Sequence, residues 1–247
     1  MFKYNYMIPI YDDNPALGRP YLVILTICLC VIVWFWQNSL GIQGGNQAIY
    51  FYGLTPASFL GTMEQAGPMP AFLTLFTSMF MHGGLMHLAG NMLYLWIFGD
   101  NIEGALGHIR FIFFYFACGV VAASAQILSA PDSTIPMIGA SGAVSGVLGA
   151  YLIFYPRARV RTFVFLGIFI TFLRIPAVFL LGVWVLGQIV SAMMSNPGSP
   201  GVAWFAHLGG FFAGLILGAL LKKYNVKLFQ SSRIPVKEKP IRIRFRK

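Results

Sequence analysis

Long apolar runs, rather than alternating apolar and polar positions, dominate this chain. A helix that crosses a bilayer needs about 20 apolar residues, and the chain offers six such runs, near residues 21–37, 86–104, 109–130, 139–156, 176–195 and 202–221. The pattern predicts an all-α bundle of six membrane-spanning helices. A further apolar stretch, Thr162 to Leu173, is too short for a crossing before Arg174 and Pro176. We expect it to be interfacial or to extend a neighbouring helix.

Composition supports a polytopic membrane protein. Of 247 residues, 57% are hydrophobic and 10% are charged, whereas roughly 25% are charged in soluble domains. The expected division is a cytoplasmic N-terminal segment at residues 1–20, a six-span domain at 21–221 and a basic cytoplasmic tail at 222–247. The first segment is polar and interrupted by proline, so no cleavable signal peptide is expected. The three cysteines lie in apolar runs, which favours a role as small core residues.

The positive charges predict which side each end occupies. With six spans and the N-terminus inside, all 17 Lys and Arg residues fall on the inner side, whereas Glu64 and Asp132 lie in outer loops. This is the distribution of the positive-inside rule, and moving one Arg through the bilayer core costs about 3 kcal/mol or more. Both termini are therefore expected in the cytoplasm. The net charge of +10 follows from topology and from attraction to anionic lipids, so no nucleic-acid partner is expected.

Chemistry-bearing residues gather at one predicted depth. Ser141 lies near the outer end of the fourth span and His207 near the outer start of the sixth, while His82, His87 and Asn91 lie at the outer start of the second. A serine in a membrane helix is most often a packing residue, but an intramembrane histidine is by default a functional one. Ser141 is therefore a candidate nucleophile with His207 as its base.

Glycines give the candidate pair a way to meet. Gly142 on the fourth span and Gly210 and Gly214 on the sixth belong to stripes of small residues, which permit close backbone approach in lipid. Gly139 and Gly142 leave the backbone around Ser141 uncrowded, so that its N–H can face a developing oxyanion.

The remaining polar residues suit hydrogen-bond donors. His87 and Asn91 are four residues apart on one helix face and would supplement the Ser141 amide in an oxyanion hole. Zinc bound by His82, His87 and His207 is a weaker alternative, because no acidic ligand or His-Glu-x-x-His motif accompanies them. Because no acid has a clear link to His207, we expect a Ser-His dyad without metal or cofactor.

These motifs resemble the rhomboid intramembrane serine proteases. The resemblance runs from about Phe72 to Leu221 and rests on His82-x4-His87-x3-Asn91, Gly139-Ala140-Ser141-Gly142 and Ala206-His207-x2-Gly210-x3-Gly214. It implies that Ser141 is the nucleophile, His207 the base, and His87, Asn91 and the Ser141 amide the oxyanion site, with His82 as a structural residue. It also implies transmembrane protein substrates that enter laterally from the bilayer, beside the fifth span and below a cap at Met193 to Val202, with cleavage near the outer face of a membrane. We expect a prokaryotic cell membrane.

The chain departs from the family pattern at Leu73-Thr74, Gly90 and Ser145. Ser145 stands where an aromatic residue commonly follows the serine, which leaves the packing of His207 open. Gln126 could hold the water for deacylation or could serve as a helix-packing amide. Two other functions remain as alternatives: an inactive rhomboid-like protein that binds membrane clients, and a transporter with a histidine proton relay. The latter would need ionisable residues along a whole crossing path.

Overall fold

The computed structural model describes residues 5–15, 17–65, 67–166, 169–196, 198 and 201–230. Numbered along the chain, its helices are α1 (Tyr21–Ser39), α2 (Gly41–Tyr52), α3 (Pro56–Phe59), α4 (Thr74–Thr77), α5 (Leu85–Leu106), α6 (His108–Ser129), α7 (Ser141–Phe154), α8 (Ala177–Met194) and α9 (Trp204–Leu221). A 3₁₀ turn, Ala71–Leu73, precedes α4. Strands β1 (Asn5–Asp12), β2 (Arg159–Leu166) and β3 (Phe169–Pro176) complete the described elements.

Six long helices occupy the six apolar runs. Of these, α1, α6, α8 and α9 are long and apolar enough to cross a membrane. Helix α7 is apolar but has 14 residues, and α5 carries the charged Asp100 and Glu103 near its end. The chain is thus mainly helical and multi-pass, as the sequence predicts.

The prediction of an all-α fold is wrong. Strands β1, β2 and β3 form an antiparallel sheet in that order, and the described residues of the stretch at 162–173 lie in β2 and β3 instead of extending a helix. Along β2, Val160, Thr162 and Val164 are buried while the residues between them are partly exposed. This period of two, in β-branched and aromatic residues, is a strand pattern. The sequence did not reveal it because residues 162–173 are apolar at both alternating sets of positions.

Within the N-terminal segment, Asn5–Asp12 form a strand of this sheet. Strand β1 lies at the sheet edge, where Pro9 can be accommodated because an edge strand leaves one row of backbone groups unpaired. Asp12, at its end, accepts hydrogen bonds from the Tyr151 hydroxyl of α7 and from Asn101 Nδ2 of α5, the latter at 3.2 Å. These contacts attach the sheet to one end of the helix bundle.

The same end of the bundle is tied together by charged side chains. Both carboxylate oxygens of Glu103 accept hydrogen bonds from the first backbone amides of α1, at Leu22 and Val23, which satisfies helix donors that otherwise lack partners. Arg110 instead donates to the carbonyls of Leu221 and Lys222 at the end of α9. Glu103 therefore joins α5 to α1, and Arg110 joins α6 to α9.

The basic tail begins as packed structure. Val226 is buried, and the backbone amides of Phe229 and Gln230 donate to the carbonyls of Ile153 and Phe154 at the end of α7. The rest of the predicted tail, from residue 231, lies outside the described residues.

Helix α7 is the centre of the bundle, and it meets α9 backbone to backbone. Eleven of its 14 residues are buried. A β-carbon added to Gly210 would lie 2.0 Å from the Gly142 carbonyl oxygen, and one added to Gly214 would lie 1.9 Å from that of Gly146. Because no real β-carbon fits at such distances, the two small-residue stripes bring these helices together as the sequence predicts.

This contact leads to a stability test. We expect Gly214→Ala to force α9 away from α7 and to lower the free energy of unfolding by about 1–3 kcal/mol or more, as overpacking does. Thermal unfolding in detergent would measure it. The matched control is Gly182→Ala on α8, where nothing lies within 4 Å of an added β-carbon, so that the intrinsic gain of about 0.5–1 kcal/mol for alanine in a helix should appear. Equal midpoints for the two variants would contradict the close contact.

Candidate active site

Ser141 is the first residue of α7, at the entrance to the central helix. Backbone N–H groups in the first turn of a helix have no partner within it, so the Ser141 amide is available to a ligand. The preceding turn depends on Gly139, which has φ +119° and whose amide donates to the Ser78 carbonyl at 2.9 Å. A β-carbon there would lie 2.7 Å from His87 Nε2 and 3.5 Å from Asn91 Nδ2. Glycine is therefore required where α5 meets the loop before Ser141.

His87 and Asn91 present their polar atoms to that turn from one face of α5. Asn91 Nδ2 is buried and has no hydrogen-bond partner among the described residues. A buried amide without a partner costs about 1–3 kcal/mol, so this donor is held ready for an acceptor that arrives with a ligand. Gln126 Oε1 on α6 is likewise buried and unpartnered within the described part of the chain.

His82 lies in the loop before α5 and packs against the ring of His87. It is fully buried, its Nδ1 lies 3.1 Å from the Phe80 carbonyl oxygen, and its ring packs edge-on to that of His87 with 5.1 Å between centroids. Gln37 of α1 donates to its carbonyl at 3.0 Å. These contacts fix the loop that leads into α5 and hold the His87 ring in place.

His207 lies on α9, one turn before the glycine contact with α7. Its Nδ1 is 2.7 Å from Gln188 Oε1 of α8. Trp184, one turn earlier on α8, faces the imidazole at 6.1 Å between centroids with a 32° tilt, and Trp204 meets it edge-on. The aromatic packing left open by Ser145 is thus supplied from α8, while the Ser145 hydroxyl donates to the Ser141 carbonyl at 2.7 Å.

Side chains from α5, α6, α7, α8 and α9 line one cavity of about 840 Å³. Ser141 and His207 both line it, but no hydrogen bond joins their side chains within the described residues. Nucleophile and base are often further apart before substrate binds. All predicted polar site residues except His82 face the cavity, and Trp184 joins them; the lining includes His87, Asn91, Gln126, Ser141, Trp184 and His207.

Two residues near His207 were not predicted from the sequence, and the predicted cap is described only in part. Gln188 and Trp184 were missed, although a lone amide inside the apolar α8 was a usable signal. Within the cap predicted at Met193 to Val202, Ser195, Asn196, Gly201 and Val202 line the cavity, while residues 197, 199 and 200 lie outside the described residues. Among the described residues, no three His, Cys, Asp or Glu side chains are grouped to hold a metal ion.

A serine at a helix start, a histidine from a second helix and an unpartnered amide donor thus line one cavity. The Rhomboid domain matches residues 70–224, more than half of the chain. The chain therefore belongs to the rhomboid family. This is a family of intramembrane serine proteases that also includes catalytically inactive members.

Similar proteins come from a bacterium and from organelles. Rhomboid protease GluP of Bacillus subtilis is 31% identical over 55% of this chain and 25% of its own length. Rhomboid protein 1, mitochondrial, of Saccharomyces cerevisiae is 29% identical over 61% of this chain and 42% of its own. Rhomboid-like protein 11, chloroplastic, of Arabidopsis thaliana is 27% identical over 63% and 54%. The matched part is thus about a quarter to a half of each relative.

Burial makes His82 sensitive to pH. Burial, with a further contribution from the neighbouring His87, lowers the pKa of His82 from 6.5 to about 4. The unfolded chain then binds the proton more readily, so this contribution to stability is complete above pH 6.5 and is lost as pH falls towards 4. We expect the stability difference between the parent and His82→Gln to shrink over that range, measured by thermal unfolding in detergent. A difference independent of pH would contradict a neutral, buried His82.

Proposed function

We propose that this protein is an intramembrane serine endopeptidase that hydrolyses peptide bonds in transmembrane segments of other membrane proteins. The observation that carries the proposal is the shared cavity, in which Ser141, His207 and the unpartnered Asn91 amide face one space. Family membership adds the reaction class. An inactive client-binding protein would have no need for a buried, unpaired donor beside a serine and a histidine.

The proposed reaction uses each group in turn. His207 Nε2 takes the Ser141 proton as the hydroxyl oxygen attacks the substrate carbonyl, and the resulting oxyanion accepts hydrogen bonds from the Ser141 amide, His87 and Asn91. His207 then gives the proton to the leaving amine, which leaves an acyl-enzyme on Ser141. A water beside Gln126 gives a proton to His207 and attacks the ester carbonyl; the ester C–O bond then breaks and His207 returns the proton to Ser141 Oγ.

The proposed topology has six spans with both termini in the cytoplasm. Its support is the restriction of Lys and Arg to one side and the six long helices found at the predicted runs. With 14 residues, α7 is about 21 Å long, which is less than the roughly 30 Å of a bilayer core. If its inner end lies near the cytoplasmic surface, Ser141 lies below the outer surface and within reach of a transmembrane substrate.

Substrates of such a site are membrane-spanning helices that enter from the lipid. A helical carbonyl is hydrogen-bonded within its own helix, so the segment must unwind locally before Ser141 can attack. We therefore propose substrates with small or helix-breaking residues near the cut. We further propose that the protein lies in a prokaryotic cell membrane with its active site towards the outer face.

The dyad can be tested by cleavage. Purified protein in liposomes is expected to cleave a single-span substrate, and Ser141→Ala and His207→Ala are each expected to abolish cleavage. The measurement is product formation on gels with the site located by mass spectrometry. Cleavage that survives both substitutions would exclude the dyad, and a parent that cleaves no substrate in a panel would favour the client-binding alternative.

The oxyanion role of Asn91 predicts a kinetic effect. Loss of one such donor typically costs about 10²–10³ in kcat, and we expect Asn91→Ala to show a loss of that order with little change in KM. The control is Asn46→Ala, at an exposed position on α2, which should behave like the parent. A normal kcat for Asn91→Ala would remove this residue from the oxyanion site.

A further inference from the structure

Gln188 is a buried polar side chain inside an apolar helix. It lies in the second half of α8, is 9% exposed and is surrounded along that helix by aliphatic and aromatic residues. Burying an amide costs free energy unless it is hydrogen-bonded. Its described hydrogen bond is to His207, where Gln188 Oε1 lies 2.7 Å from Nδ1.

This contact bears on which nitrogen of His207 carries the proton. The Gln188 amide faces Nδ1 with its oxygen, and because a carbonyl oxygen can only accept a hydrogen bond, this orientation of the amide requires the proton on Nδ1. In a neutral imidazole the other nitrogen, Nε2, then has a free lone pair. That is the tautomer in which His207 can take a proton from Ser141, and an imidazole fixed in the opposite tautomer could not do so through Nε2.

We propose that Gln188 is a positioning residue that holds His207 in its base-competent tautomer, so that the dyad is supported by a neutral third member. This proposal rests on the proposed function. Trp184, on the same side of α8, faces the imidazole ring, so one helix supplies both the packing surface and the acceptor. The carboxylate usual at this place in serine hydrolases is replaced by an uncharged group, which avoids burying a charge in lipid.

The arrangement makes α8 necessary for catalysis although it carries neither dyad residue. Its buried residues, Ala177, Leu180, Leu181, Gln188 and Ala192, lie along one side of the helix. Because Gln188 and Trp184 contact α9 through His207, moving α8 away would remove both partners from the base at once. Activity thus depends on α8 lying against α9.

The test measures the tautomer directly and does not require activity. The chain has four histidines, so ¹⁵N-histidine spectra of the protein in detergent are tractable, and His207→Ala identifies the His207 signals. We expect His207 in the parent at neutral pH to show a protonated Nδ1 and an unprotonated Nε2. In Gln188→Leu we expect a mixture of tautomers, and in Gln188→Glu, which keeps an acceptor, the parental tautomer.

Kinetics provide the second readout. Loss of one hydrogen bond worth about 1 kcal/mol predicts a fall in kcat of about fivefold for Gln188→Leu with KM unchanged, and recovery in Gln188→Glu. Ser191→Ala removes a polar atom from the same helix and should match the parent in both measurements. A parental tautomer in Gln188→Leu, or a normal kcat in an active background, would overturn the proposal. An inactive parent would contradict the proposed function alone, because the tautomer still decides the role of Gln188.

Discussion

Helices α7 and α9 touch through backbone atoms, with Gly210 and Gly214 of one against the carbonyls of Gly142 and Gly146 of the other. In lipid no hydrophobic effect drives helices together, so van der Waals contact between small residues must supply the attraction. Ser141 lies one residue before this contact begins on α7 and His207 three residues before it on α9. The separation of Ser141 and His207 is therefore set by glycine backbones.

Near this contact, several buried polar atoms have no hydrogen-bond partner within the described part of the chain. Asn91 Nδ2, Gln126 Oε1 and His82 Nε2 have none among the described residues, although each such atom costs about 1–3 kcal/mol. Two of them line the cavity that holds Ser141. Glu103, at the other end of the bundle, accepts hydrogen bonds from two amides of α1, whereas Asn91 Nδ2 and Gln126 Oε1 lie unpartnered where the proposed reaction needs donors and acceptors.

Much of this arrangement could be predicted from the sequence, and the rest has physical reasons for being hidden. Apolar runs near 20 residues located all six long helices, and the spacing of His87 and Asn91 predicted their common face. The sheet was not predicted for two reasons. Residues 162–173 are apolar at both alternating sets of positions, which masks the period of two that is typical of a strand. In addition, β1 pairs with residues about 150 positions away in the sequence. The lone amide in the apolar α8 marks Gln188 as unusual, but the contacts of Gln188 and Trp184 with His207 depend on how α8 is rotated against α9, which the sequence of α8 alone does not determine.

The central claim is that Ser141 is a nucleophile activated by His207 within the membrane. It is tested most directly by treating the protein in liposomes with a fluorophosphonate and locating the adduct by peptide mass spectrometry. The account predicts a single adduct on Ser141 that disappears in His207→Ala. An adduct on another serine, or an unchanged adduct on Ser141 without His207, would contradict it.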